Sequence, residues 1–472
     1  MKARKESYTT KFSERLSYWS YFVGQNIFYI LVSTFLTTYI AFAGIELIKI
    51  ATVMLVVKIW DAVNDPLFGI IFDKVKFKSK QKSLPWLRIS LGLVPLTSVI
   101  LFAIPASLSE NFKLFWFGVA YLLWDSSYTL SDVPIFSMVT TMTANMDERN
   151  SLMSIGRLFS MIASSVTIML STFLLGESVG MSFTTMAIVL AIAGLLFMTP
   201  LCLVGKERNY NPDAREENFT LRQTLTYLVG NKYLLIYFAA FFCSSALFTT
   251  NIVQLFASYY LFGSVNFSNI LYIASAIPSV LVSALLPRIL RKVDKFKLLF
   301  WTTVIATALG FVIYFIGWES KMAFLVLAVL RNMPLSLIAV LNFMFTADCA
   351  EYGHFKTGID AKGIAFAIQT FSAKLTAAIS SAVALFALSL FGWQEIKAQS
   401  FDELSQLGIV QTPTALSGLW ITYLLIPTIG MLLTTLLYFF YKLNDKDVQI
   451  MAQCNSGEIT KAEAEAQLSR TY

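Results

Sequence analysis

Apolar residues in this chain come in runs of about 20 to 28 positions that neither break nor alternate with polar ones, and short polar stretches separate the runs. A run of that length crosses the roughly 30 Å hydrocarbon layer as a helix, whereas a barrel strand needs only about ten alternating residues. The pattern predicts twelve spans. The first six lie near residues 17–42, 46–73, 87–106, 112–143, 151–175 and 179–204, and the second six near 233–262, 267–290, 298–317, 321–347, 362–391 and 416–441. Between them the stretch from Lys206 to Lys232 is polar, carries Pro212, and holds a capped helix start at Thr220 with Gln223 three residues on, so it reads as a hinge. The expected organisation is a six-helix bundle over 1–204, a cytoplasmic loop over 205–232, a second six-helix bundle over 233–442 and a cytoplasmic tail over 443–472.

Composition agrees: of 472 residues, 56% are hydrophobic and only 14% charged, which marks an all-α integral membrane protein rather than a soluble enzyme. The net charge of +7 would suggest nucleic acid in a soluble protein. Here the bases fall in alternate loops, among them Lys74, Lys76, Lys78, Lys82, Arg88, Arg149, Arg288, Arg291, Lys292, Lys295 and Lys297, so they mark the cytoplasmic face and place both termini there. No nucleic-acid partner is expected. Cys202, Cys243, Cys349 and Cys454 have no paired spacing, and the single histidine, His354, falls in the loop expected before span eleven with no ligand-spaced partner, so neither metal nor hydrolytic chemistry is indicated. The basic N-terminus lacks a cleavage site and is not a removable signal. The loops after spans two and eight, FDKVKFKSKQK and RKVDKFK, echo each other. Such a parallel repeat of six spans is typical of the major facilitator fold, in which substrate binds near the midplane between the halves.

Several charges lie inside the runs. Asp61 and Asp65 are four residues apart, so they point within about 40° of each other, with Asn64 on the same arc. Each ionised Asp costs roughly 2.5–3.5 kcal/mol at a helix centre, so the pair needs a bound cation, a proton or a basic partner on a neighbouring helix. Asp125, Thr129 and Asp132 share a face of span four, just ahead of Pro134, which can kink the helix and free a carbonyl. Arg157, Arg331 and the set Gln369, Thr370 and Lys374 add bases and amides; for the two arginines, snorkelling to the interface is the alternative. Tyr18, Tyr21 and Trp124 offer rings for a sugar, or simply pack.

WDAVNDPLFG, SYTLSDVPIFS, DERNSLMSIGRLFS, TADCAEYGHFK and IQTFSAK, in that order, resemble the glycoside, pentoside and hexuronide cation symporters, the group of the melibiose permease. The resemblance runs from LSYWSYFVG to YKLND and implies a multi-pass cell-membrane transporter, not an enzyme. It implies a sodium or proton site at Asp61, Asn64, Asp65 and Thr129, and a sugar site that includes Tyr128, Asp132, Arg157, Gln369, Thr370 and Lys374. Gln25 and Asn26 stand where that permease has a Lys-Asp pair, Phe136 and Ala339 replace tryptophans, and Asp125 is an added acid; these departures put galactoside specificity in question and make Gln25, Asn26, Asp125 and Phe136 candidate sugar contacts. The expected activity is symport of a sugar or glycoside with a monovalent cation by alternating access, by a monomer in the lipid bilayer and with no cofactor beyond the coupling ion. Alternatives are a hexuronide or glucuronide symporter, a cation transporter without sugar, or a sugar sensor on the same fold.

Overall fold

The computed structural model describes residues 9–79, 81–209, 229–358 and 362–472. Twelve long helices are described: α1 (Phe12–Ala41), α2 (Leu47–Lys74), α3 (Leu84–Leu101), α4 (Glu110–Met142), α5 (Met146–Leu175), α6 (Phe183–Val204), α7 (Lys232–Leu261), α8 (Phe267–Leu290), α9 (Lys295–Ile316), α10 (Lys321–Thr357), α11 (Lys362–Leu390) and α12 (Pro413–Tyr438). Two tail helices follow, α13 (Asp445–Asn455) and α14 (Lys461–Gln467). The expected cap at Thr220 and Gln223, and Pro212, lie outside the described residues.

Among the described residues ten of these helices are long and apolar enough to cross a membrane. The other two, α2 and α4, are long enough at 28 and 33 residues. They are also the helices that carry the interior acids. α4 runs unbroken through Pro134. His354 is not in a loop: α10 continues to Thr357, where Gly358 caps it in the left-handed region at φ 72° by bonding the His354 carbonyl.

The chain forms two compact units, the first comprising residues up to Arg215 with Ser264–Asn266 and Trp393–Thr412, the second the remainder. Within the first, α1 packs on α5 and α6, α3 on α4 and α6, and α2 on α4. The second repeats every one of these pairings, with α7 on α11 and α12, α9 on α10 and α12, and α8 on α10. The close approach of the first and sixth helices recurs, with the glycine on opposite partners in the two units. In the first unit a methyl on Gly24 of α1 would stand 2.5 Å from the Gly194 carbonyl of α6; in the second, one on Gly430 of α12 would stand 2.8 Å from the Cys243 carbonyl of α7, so both interfaces require the missing Cβ. An acid just past the sixth helix of each unit also serves the third. Glu207 accepts the backbone N–H groups of Lys82, Ser83 and Leu84 at 2.7–2.8 Å, which caps α3; Asp445 accepts that of Lys295 at 2.8 Å at the head of α9.

Among the described residues three helices carry a widened π turn, at Leu31–Phe35, Ala257–Leu261 and Ile421–Leu425. In α12 the freed carbonyls of Thr422 and Tyr423 accept the hydroxyls of Thr249 and Thr250, where α7 is interrupted.

Residues 393–412, expected in the second bundle, pack with the first unit. The Gly44 amide bonds the Ile396 carbonyl at 2.9 Å, Ala398 bonds Phe42 and Phe183 bonds Gln399, while the Phe401 ring is fully buried against Phe42 and Phe183. Gln394 and Gln411 bond reciprocally at the base of the segment, closing it as a loop.

Candidate functional site

The polar chemistry of the first unit gathers on α1, α2 and α4. Asn64 is buried on α2, and its side-chain amide donates to Asp125 Oδ2 at 3.1 Å and to Thr129 Oγ1 at 2.9 Å on α4. Thr129 in turn donates to the Asp125 backbone carbonyl at 3.0 Å, which holds the hydroxyl in place. Asp125 is only 3% exposed and Thr129 2%, so these oxygens lie in the helix bundle and not at its edge. Asp61 is half-buried one turn before Asn64, with Lys58 a further turn back and within electrostatic reach of it. The side chain of Asp65 lies outside the described residues, although its position on α2 is fixed by the helix. Among the described residues no three His, Cys, Asp or Glu side chains converge as a multidentate metal site would require.

A second group forms on the inner face of α1. Gln25 is buried and donates its amide to Asp132 Oδ1 at 2.8 Å, so the neutral residue that stands in the lysine position still engages an acid. Asn26 points elsewhere: it donates to Ser160 Oγ at 2.9 Å and accepts from Ser164 Oγ at 3.2 Å on α5. Arg157, also on α5, is exposed and lies over the Phe136 ring at 5.2 Å, a cation–π contact that steers the guanidinium. Tyr128 stacks on Trp124 at 5.2 Å and reaches Tyr29 at 6.2 Å. Tyr18 and Tyr21 do not offer free faces: both are fully buried, with hydroxyls bonded to the Ile135 carbonyl and to Ser90 and Ser131. Trp124 is likewise buried and donates to Ser98.

In the second unit Gln369 is buried, Thr370 exposed and Lys374 half-buried along α11. Arg331 does not snorkel. It is 6% exposed, and donates to the Ala306 carbonyl at 3.3 Å and to Thr428 Oγ1 at 3.2 Å, tying α10 to α9 and α12.

The family described as MFS/sugar transport protein matches residues 17–445. The chain belongs to that family. As a member of the MFS/sugar transport proteins it is a multi-pass membrane transporter rather than an enzyme, as the run lengths and the resemblance led one to expect. It is 24% identical over 453 residues to the isoprimeverose transporter of Lactiplantibacillus pentosus, covering 93% of this chain and 90% of that one. It is 25% identical to the glucuronide carrier protein homolog of Escherichia coli (strain K12), covering 90% and 91%. The crystal structure of the nucleoside transporter NupG superposes with a TM-score of 0.63 at 14% identity over 91% of this chain and 98% of that one, which speaks for the fold alone.

Three further residues belong on the site map. Lys58 precedes Asp61 by three positions, a helical neighbour spacing that flags it as a basic partner. Ser160 and Ser164 hold Asn26, and nothing in their spacing alone announces that role.

Proposed function

We propose that this transporter carries a sugar or glycoside together with a monovalent cation, sodium or proton, and works as a monomer. The observation that carries the proposal is the Asn64 amide bonded to Asp125 and Thr129 one turn from Asp61. Several carboxylates within a membrane bundle are tolerable only when their charge is balanced, and Lys58 supplies one positive charge. A bound cation supplies the rest, with Asp61, Asn64, Asp65 and Thr129 as its oxygen donors. An all-oxygen set suits sodium and, with a carboxylate as acceptor, a proton. For the sugar, a carboxylate such as Asp132 accepts two hydroxyls, and Gln25 orients it. Arg157, Tyr128 and Phe136 are further contacts in the first unit, and Gln369, Thr370 and Lys374 are assigned on the resemblance. The names of the relatives, an isoprimeverose transporter and a glucuronide carrier homolog, support a glycosidic substrate. A uronide is the second reading, favoured by the exposed guanidinium of Arg157, which could meet a carboxylate.

If sugar binds better to the cation-loaded form, linkage makes the cation bind better with sugar, commonly by about 1–3 kcal/mol. The test is counterflow of glycosides, pentosides and uronides in reconstituted vesicles, with and without sodium, at two pH values. One class of sugar should exchange, and its affinity should rise with sodium or with protons; sugar-independent cation flux, or no exchange of any sugar, would sink the proposal.

A further inference from the structure

The two echoing basic loops end differently. After α8 the chain turns at Arg291–Asp294 into α9, and the tail after α12 folds back beside it, so that together they wall a cavity of about 820 Å³ at the basic, cytoplasmic end of the second unit. Six exposed cations line it: Arg291, Lys292, Lys297, Lys442, Lys446 and Arg470. Among the described residues none of the six has an ion-pair partner. Three carboxylates also line the cavity, and all are already engaged. Asp294 accepts the amides of Phe296, Lys297 and Asp445; Asp445 accepts the Lys295 amide and its ammonium; Asp447 accepts from Asn444, Ser469 and Tyr472. The cavity is therefore an electropositive bowl whose acids are held by its own walls.

Its floor is apolar. Phe296 stacks on Tyr441 at 4.9 Å, and Phe300 meets Phe439 at 5.2 Å. Phe439 is 55% exposed and neighbouring Trp301 60%, so the aromatic floor runs out onto the flank that spanning helices present to lipid. A soluble anion would use the cations and leave the floor idle. We infer that this cavity binds an anionic glycerophospholipid, with its phosphate among Arg291, Lys292, Lys297 and Arg470 and the start of its acyl chains over Phe300 and Phe439. The plane is right for it: the cavity sits where α8 and α12 leave the bilayer and α9 enters, at headgroup depth, and basic pockets there hold lipid phosphates. The volume exceeds what one inorganic phosphate fills and falls within the range of pockets for drug-sized ligands.

The test uses the full chain in detergent, with retained lipid counted by native mass spectrometry and the unfolding midpoint read in parallel. The additives are phosphatidylglycerol, phosphatidylcholine and inorganic phosphate. The variants are Arg291→Gln with Lys292→Gln and Arg470→Gln, the single Arg470→Gln on the exposed tail, and a charge-matched control with Lys74, Lys76 and Lys78 each changed to Gln in the loop after α2. Phosphatidylglycerol should be retained at least fivefold over phosphatidylcholine and raise the midpoint; the triple variant should lose both effects, Arg470→Gln part of them, and the control neither. Equal loss in the control, or full retention by the triple variant, overturns the site in favour of diffuse charge attraction. Inorganic phosphate matching the lipid would overturn the lipid assignment and leave a soluble-anion pocket.

Discussion

The two units share one scaffold and fill it with opposite chemistry. The five main helix pairings of the first recur in the second, yet α2 carries Asp61 and Asp65 whereas its counterpart α8 has no charge before Arg288. α4 carries Asp125 and Asp132; its counterpart α10 has Arg331 inside, and its acids, Asp348 and Glu351, stand at the basic end, where Asp348 pairs with Lys295 at 2.6 Å and Glu351 accepts from Asn455. The contrast teaches that this fold does not need interior acids to close. The acids present in one copy and absent from the other are the groups the proposed cation and sugar sites use, whereas the interior arginine of the second copy is spent on a carbonyl and a hydroxyl of its neighbours.

The largest effect should come from removing an acid from α2. Asp61→Cys or Asp65→Cys should abolish cation-driven sugar accumulation in vesicles while sugar exchange persists; full accumulation by Asp65→Cys would erase the contrast between the halves. Next, Asp132→Ala and Lys374→Ala should each weaken sugar binding at least tenfold, about 1.4 kcal/mol, as read by equilibrium dialysis. In the absence of sugar, cation binding should change far less for Lys374→Ala than for Asp61→Cys. A Lys374 variant that kept its sugar but lost its cation would move that residue from recognition to coupling.

Smaller effects are expected in the second unit's core. Arg331→Met removes a buried charge whose partners among the described residues are neutral, so stability should change by no more than about 1–2 kcal/mol and sugar affinity by less than twofold. Thr428→Val leaves the guanidinium short of an acceptor and should cost about 1–3 kcal/mol in unfolding experiments. Loss of transport in Arg331→Met at normal stability would make the arginine functional and spoil the comparison.

The smallest effect concerns the tail. Burial raises the pKa of Asp447, but hydrogen bonds from Ser469, Tyr472 and Asn444 outweigh it and hold the carboxyl below its ordinary 3.8. A folded pKa below the unfolded one stabilises docking above pH 3.8 and forfeits that support as the pH falls through the lowered value. Proteolytic release of the tail should therefore be flat from neutral pH to about 5 and rise only in stronger acid, and Asp447→Asn should show the release at neutral pH.

Run length made the spans legible, because the bilayer imposes one length and one satisfied backbone on every crossing. Hydropathy marks where lipid ends, not where a helix ends: α10 was expected to stop at 347 but carries its polar TADCAEYGHFK continuation as helix to Thr357. Nothing in the local pattern of residues 393–412 ties them to the first unit, since their partners, Phe42, Gly44 and Phe183, are roughly 220 to 360 positions away. In the candidate site, periodicity put Asp125 and Asp132 on one face of α4, and that much is geometry. It could not say that a face about 10 Å long meets two neighbours, so that Asp125 goes to Asn64 of α2 and Asp132 to Gln25 of α1.

The reach of residues 393–412 back to the first unit sets an order of events during synthesis. The cap on α3 is complete once Glu207 has been made, but the turn between α1 and α2 waits for Ile396 and Ala398, and the pocket of Phe42 and Phe183 waits for Phe401. At about 5–20 residues per second the ribosome takes on the order of 10–40 s to travel from one point to the other. For that interval the newborn first half stands in the membrane with an unfilled aromatic socket at its far end, so it is the stage at which a membrane chaperone or a quality-control protease would find something to hold.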